Sequence, residues 1–398
     1  MSFSEWREVV LKDVIEFNPK ESIKKGTVTK KIGMDKLAPF QRKIDGFELA
    51  EFSGGSKFRN GDTLLARITP CLENGKTAQV MILDDDEIAF GSTEYIVMRN
   101  KTGITDNNYI FYLSLSQYVR DTAIKSMTGT SGRQRAQTDV IKNTKIMLPP
   151  LQEQKAIAHI LSTLDDKIEV NNQINKTLEN MAQEIFKQWF VDFEFPNEDG
   201  ESYKSSGGEM VESELGLIPK GWEVASLYDI ADYINGTSFK KNEVNEFEGI
   251  PIIKIVEIKN GYSKSTSFYN GTTNKAKKYY LRKRDILFSW SGNPETSIDI
   301  FIWSKEQGIL NQHIFKVEPY DYSKSYIYFL LKNFKSVFMD IASNKQTTGL
   351  GHVTVADLKR LKTPIPNEEI LSEFIKISDV IIEKIFNNMQ EIETLQSL

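Results

Sequence analysis

Cysteine is nearly absent from this chain: Cys71 is the only one in 398 residues. A disulfide framework is therefore excluded, and a reducing compartment, the cytoplasm, is expected. Histidine is almost as scarce. His159, His313 and His352 are scattered, and with one cysteine they make a protein-only zinc site an unattractive reading. Long apolar runs are missing too, so no membrane-spanning helix is expected, and MSFSEWREVVLKD at the start lacks the apolar core of a secretory signal. No glycine-rich phosphate loop with a following Lys-Ser/Thr occurs, which argues against a nucleotide motor. The nearest matches to an amino-methyltransferase loop, Asn18-Pro19 and Asn293-Pro294, lack the rest of that motif. Asp165 and Lys167 meet only part of a nuclease-like spacing, and the run Asp84 to Glu87 reads best as a solvated turn. No catalytic, cofactor-binding or metal-ligating residue is assigned.

What the chain does have is a repeat. KIEVNNQINKTLE (Lys167–Glu179) returns as KIFNNMQEIETLQ (Lys384–Gln396), with six of the thirteen positions identical. Upstream, Trp6, Leu11, Asp13 and Val14 recur at the same spacing as Trp222, Leu227, Asp229 and Ile230. A period this long marks a duplicated domain-plus-helix unit, far beyond the ~20–50 residues of a solenoid. Each unit continues into short apolar runs broken by Gly, Asn and Pro. GDTLLARITP (Gly61–Pro70) and STEYIVMR (Ser92–Arg99) match RDILFSWSGNP (Arg284–Pro294) and NQHIFKV (Asn311–Val317), which predicts a mainly-β core. An amphipathic helix is expected next, over Asn108–Ile124 and Ser325–Ala342. Pro149-Pro150 and Pro364/Pro366 then close each globular part.

The clearest periodicity follows. Ile157, Leu164, Asn171, Leu178 and Ile185 recur every seven residues, with Leu161, Ile168, Asn175, Ala182 and Trp189 as the second row. That is a coiled-coil seam, and ~40 residues at ~1.5 Å each make a rod of ~60 Å. The C-terminal copy offers Phe374, Ile381, Asn388 and Leu395, flanked by Leu371, Ser378, Ile385 and Ile392. Asn on such a seam weakens the coil but fixes register and partner. The fold expected is α+β: two similar mainly-β domains separated by two long antiparallel coiled-coil helices about a pseudo-twofold axis. The boundaries expected are residues 1–150 and 222–366 for the domains, 151–193 and 367–398 for the helices, and 194–221 for a polar linker.

Positive charge is in short supply overall (net −5), yet it is unevenly spread. Residues 1–150 carry 22 Lys+Arg against 19 Asp+Glu, and 222–362 carry 20 against 15. The intervening 151–221 carry 6 against 14, and 363–398 carry 2 against 7. Basic blocks are where a footprint on phosphate would lie, while acidic helices suit protein partners. Within the first block, Arg133, Gln134, Arg135 and Gln137 sit on a Gly-bearing loop and are the side-chain types that read purine edges in the major groove. The matching loop of the second unit carries Gln346, Thr347, Thr348 and His352, a different set. Lys275, Lys277, Lys278, Arg282, Lys283 and Arg284, with Tyr279 and Tyr280 among them, form a second basic cluster suited to gripping phosphates. Aligned frames with differing loops would suit a protein that reads two different half-sites.

The chain resembles the specificity subunit of type I restriction–modification systems over nearly its whole length. LPPLQEQKAIAHILSTLDDKIEVNNQINKTLENMAQEIFKQWFVDF (Leu148–Phe193) and LGLIPKGWEVASLYDIA (Leu215–Ala231) carry the resemblance. The second copy departs from it, with Pro366-Asn367-Glu368-Glu369 at its opening and no second Trp-Phe close. The resemblance implies a non-catalytic reader in which each target-recognition domain binds one half of a split, asymmetric double-stranded DNA site and the helices act as a ruler. It further implies two methyltransferase subunits carrying S-adenosylmethionine, restriction subunits using ATP and Mg, no cofactor in this chain, and no membrane. Two other readings remain open: a specificity subunit of another restriction class, and a coiled-coil scaffold bearing two protein-binding domains.

Overall fold

A computed structural model describes residues 5–130, 132–263, 265–345 and 350–397. The chain divides into two compact units, with the division between Lys167 and Ile168, inside the long central helix.

In the first unit the strands Ile15–Phe17, Tyr95–Asn100, Thr63–Ala66 and Thr77–Gln79 lie side by side in that order, all neighbours antiparallel. Side chains alternate between faces along a strand. Leu65, Ile96 and Met98 accordingly enter one core with Leu11, Ile110 and Leu148, while Leu64, Tyr95 and Val97 enter another with Ile32 and Phe58. Both faces are covered, which is why these strands read as unbroken apolar runs rather than alternating ones. A second sheet orders Glu48–Glu51, Val28–Ile32, Ala89–Gly91 and Ser56–Phe58, with the middle pair parallel. The unit is closed by the pairing of Arg7–Val10 with Lys145–Leu148.

The second unit repeats this plan by itself. Ala231–Asn235, Ile314–Pro319, Ile286–Ser289 and Asp299–Ile302 form the same antiparallel order, and Glu223–Ser226 pairs with Lys362–Ile365 as the closing ribbon. Its other sheet again holds a parallel pair, Ile250–Ile253 beside Gly308–Leu310. Small details recur: Leu11 N–H donates to Thr144 O at 3.0 Å, and Leu227 N–H to Leu361 O at 2.9 Å. Gly61 and Arg284 both adopt positive φ, +90° and +69°, in the turn before the central strand.

The helix expected over Asn108–Ile124 is two helices, Asn107–Leu115 and Gln117–Lys125. Ser116 ends the first, and its side chain caps the second by accepting from Val119 N–H. The second copy also divides, into Lys324–Asn333 and Lys335–Asn344. Apolar spacing runs across such a break because both helices feed one core: Tyr109, Ile110 and Ala123 share a cluster in the first unit, and Tyr326, Phe338 and Ala342 share one in the second.

The central helix spans Leu151–Phe190 and the C-terminal helix Glu368–Gln396, started by the Asn367 side chain accepting from Ile370 N–H. Within the second unit they pack antiparallel. Asn171 donates to Glu391 at 2.8 Å, Asn388 donates to Asn175 at 2.8 Å, and Phe186 and Phe190 meet Phe374 at 5.6 and 4.9 Å, so one numbering rises as the other falls. Of the expected seam, Asn171, Phe374, Ile381, Ile385 and Asn388 are buried here, and Leu178 and Ile185 pack against the same core. Ile168 and Leu395 are half-buried. In the first unit Ile157 joins the core beneath the sheet, while Leu161 and Leu164 are half-buried. The aromatic close of the central helix is core as well: Phe186, Trp189 and Phe190 share a cluster with Trp222, Tyr326 and Phe374.

The stretch expected to be a linker is folded. Met210–Ser213 and Gly216–Pro219 form a hairpin, and Phe195 stacks on Tyr203 at 4.5 Å and on Trp222 at 5.2 Å. A few aromatics anchor a segment whose average composition is polar. Among the described residues no helix is long and apolar enough to cross a membrane, and no three metal-ligating side chains cluster.

Candidate nucleic-acid interface

The loop of the first unit leaves the Gln117–Lys125 helix and returns through a bridge between Thr128 and Arg135. Gly129 and Gly132 turn it with φ of +130° and +80°, values that favour glycine. Its base lies against the sheet, with Arg135 also bridged to Ile68 and Thr69 N–H donating to Gln134 O at 3.0 Å. The loop is hydrogen-bonded to the sheet at its foot, and Gly132 and Arg133 are exposed.

The four loop residues expected to meet DNA have different fates. Arg133 is exposed at the tip and has no carboxylate partner among the described residues. Gln134 is half-buried, and its carbonyl is spent on the sheet. Gln137 donates to Thr128 Oγ1 at 2.6 Å and to Arg135 O at 3.1 Å, holding the loop's neck. Arg135 is gripped by Glu94: Nε lies 2.9 and 3.0 Å from the two carboxylate oxygens, and Nη2 lies 2.7 Å from Oε1. Those hydrogen bonds push the guanidinium further above its ordinary value, so it is a fixed cation. Glu94 was not foreseen. It precedes the Tyr95–Asn100 strand by one residue, and its only sequence signal was its place inside the STEYIVMR run.

The second basic cluster divides similarly. Lys277 and Lys278 are exposed on a single 3-10 turn, with the Lys278 ammonium 5.4 Å above the Tyr279 ring. Arg282 is exposed, its backbone N–H donating to Asp285 at 2.8 Å. Arg284 is exposed too, but it already holds partners. Its guanidinium pairs with Glu383 at 2.6 Å and lies 4.8 Å over the Phe386 ring, both on the C-terminal helix. A run of basic residues cannot disclose that one of them faces backward onto a helix a hundred positions later. Lys275 is likewise occupied by Glu243, whose carboxyl is held at about 2, first by the Thr273 hydroxyl and then by Lys240 N–H and Lys275.

On the matching loop of the second unit, Gln346, Thr347 and Thr348 lie outside the described residues. His352 is half-buried in a two-residue strand, Gly351–His352, paired with Ser291–Gly292. Beside it stand two side chains not singled out from the sequence. Trp290 stacks on Phe315 at 5.5 Å, lies 5.8 Å from the His313 ring and donates its indole N–H to Asn235 at 3.0 Å. His313 in turn meets Gln312 at 3.2 Å.

Two similar sheets, each within a mildly basic stretch of sequence and each carrying differently furnished loops, suit recognition of a polyanion. The relatives agree with this. The type I restriction modification DNA specificity domain matches twice, at residues 3–180 and 219–397, one match per repeat. The MjaIX specificity subunit of Methanocaldococcus jannaschii is 28% identical over 312 residues, 75% of this chain and 67% of that one. The HindI specificity subunit of Haemophilus influenzae is 25% identical over 400 residues, 85% of this chain and 84% of its own length. Among solved structures, the S subunit of a type I restriction–modification system from M. genitalium shares the fold with a TM-score of 0.50 at 13% identity, covering 98% of this chain and 93% of that one. Paired repeats, paired sheets and paired family matches agree: the chain belongs to the specificity subunits of type I restriction–modification systems.

Proposed function

We propose that this chain reads a bipartite, asymmetric double-stranded DNA site, one half through each unit, and performs no chemistry of its own. The observation that carries this reading is the duplicated sheet frame with unlike loops: the same strand order positions Arg133 and Arg135 in one unit and His352 in the other. Exposed Arg133, Lys277, Lys278 and Arg282 supply phosphate contacts that position, and the loop residues nearer the sheets supply base contacts that specify. The antiparallel helices serve as the spacer that sets the distance between halves, which for half-sites one turn apart is ~34–36 Å.

The acidic helical segments are the docking face for two modification subunits, and restriction subunits join that core. S-adenosylmethionine, ATP and Mg belong to those partners. Methylation of adenine requires the base to leave the stack, a task assigned to the modification subunit's own pocket. The cytoplasm, where chromosomal and invading DNA meet the complex, is the place of action.

Binding of the assembled complex to duplex DNA tests the reading. A split sequence is bound well above a scrambled duplex, with affinity falling steeply between 50 and 200 mM salt, as released counterions require. Equal affinity for scrambled DNA contradicts it.

A further inference from the structure

Strand register in the two units corresponds position by position around the central strand. Ala66 pairs with Tyr95 in the first unit as Ser289 pairs with Ile314 in the second. One residue on, Ala136 N–H donates to Arg67 O at 2.8 Å, and Val353 N–H donates to Trp290 O at 2.9 Å. Ile68 bridges Arg135 as Ser291 bridges His352. Arg67, Glu94 and Arg135 therefore stand on the same three backbone positions as Trp290, His313 and His352. The frame is held and the chemistry is exchanged completely: two guanidiniums around a carboxylate in one unit, an indole and two imidazoles in the other.

The first set is built to present a guanidinium. Glu94 takes Nε and one edge of Nη2 of Arg135, which leaves Nη1 and the other Nη2 hydrogen as a free fork among the described residues. The Arg135 side chain is 41% exposed while Glu94 is 19% exposed, so the carboxylate is behind and the fork in front. Arg67 braces the same carboxylate at 3.6 Å from Oε2, its Nε buried without a hydrogen bond. The pair of arginines outweighs the single carboxylate, so the patch stays attractive to the electronegative edge of a base. A planar fork of two parallel N–H donors matches the O6 and N7 acceptors of guanine and no other base edge in the major groove.

We infer that Arg135, oriented by Glu94 and Arg67, reads a guanine in the half-site of the first unit, and that Trp290, His313 and His352 are its counterpart readers in the second. The inference rests on the DNA-reading function proposed above and assigns the base. Glu94 is a positioning residue: removing its charge frees the guanidinium to swing, and discrimination falls more than overall affinity.

The test uses the full chain in complex with its modification subunit and duplexes carrying its split motif. Each guanine is replaced in turn by 7-deazaguanine, which deletes the N7 acceptor and keeps the base pair. One guanine in one half then costs the wild-type complex roughly 10- to 100-fold in affinity. Glu94→Gln and Arg135→Lys each reduce that penalty to a few-fold at most and leave the other half's base preferences unchanged, which also reports that the variants are folded. Trp290→Ala changes preference only in the other half. The inference is overturned if no guanine in either half responds to 7-deazaguanine, a result that needs no variant, or if Glu94→Gln retains the full penalty. Selective binding of the split motif without guanine dependence overturns this inference alone. Absence of selective binding to any split sequence overturns the functional reading with it.

Discussion

Arg284 and Glu383 form an ion pair of 2.6 Å that ties the turn before the central strand of the second unit to the C-terminal helix. Arg284 does so from a positive φ of +69°, a conformation that its counterpart Gly61 adopts without strain. The pair is about half exposed, so it contributes no more than about 1 kcal/mol, and the cation over Phe386 adds about 0.5–1 kcal/mol. Arg284→Ala loses both and keeps the backbone strain. Arg284→Gly loses both but relieves about 1 kcal/mol of strain. Thermal unfolding should therefore place Arg284→Gly at or above Arg284→Ala, and DNA affinity should be nearly the same in both as in the wild type.

The paired asparagines of the helical seam make a second case. Asn388 is buried and donates to Asn175. Asn388→Ala leaves a polar group without its partner and should cost about 1–3 kcal/mol. Replacing both Asn175 and Asn388 by Leu should be neutral or stabilising, at the expense of register specificity. A double-mutant cycle from denaturant melts reads the coupling directly.

Acid stability of the second unit should depend on Glu243. Its folded carboxyl lies at about 2, below its ordinary value, because Thr273, Lys240 N–H and Lys275 bind the charged form. A depressed carboxyl contributes stability that is fully present above its unfolded value, about 4.3, and is lost as pH falls through the folded one. Glu243→Gln should flatten the decline in stability between about pH 4 and pH 2 and lower stability at neutral pH. A wild-type slope in the variant would disprove the assignment.

Arg133 and Arg135 should separate in their salt behaviour. Arg133 is exposed at the loop tip, and on the proposed function it meets phosphate. Arg133→Ala should weaken binding evenly across sequences and reduce the salt slope by about one. Sequence preference should survive. A change of preferred bases in Arg133→Ala would show that the tip reaches a groove.

Much of this architecture was legible because periodic patterns are local. The seven-residue rows placed Asn171, Phe374, Ile381 and Asn388 on the helical seam, and apolar runs such as Thr63–Ala66 marked strands. The folded segment after Phe193 was hidden because three aromatics, Phe195, Tyr203 and Trp222, decide its structure against a polar average. The site was less legible for a related reason. Glu94 and Arg135 stand 41 residues apart, and their pairing follows from strand register that composition does not encode. The partners of Arg284 lie on another element, Glu383 and Phe386 of the C-terminal helix, which a run of basic residues does not disclose.

The central claim is that two similar frames read two different half-sites. The most direct measurement is the methylation motif written on chromosomal DNA by a host that lacks other adenine methyltransferases and expresses this chain with its modification partner. The account predicts one split motif, with two unlike defined halves, a fixed spacer and one methylated adenine in each half. A continuous motif, two identical halves, or no motif dependent on this chain would contradict it.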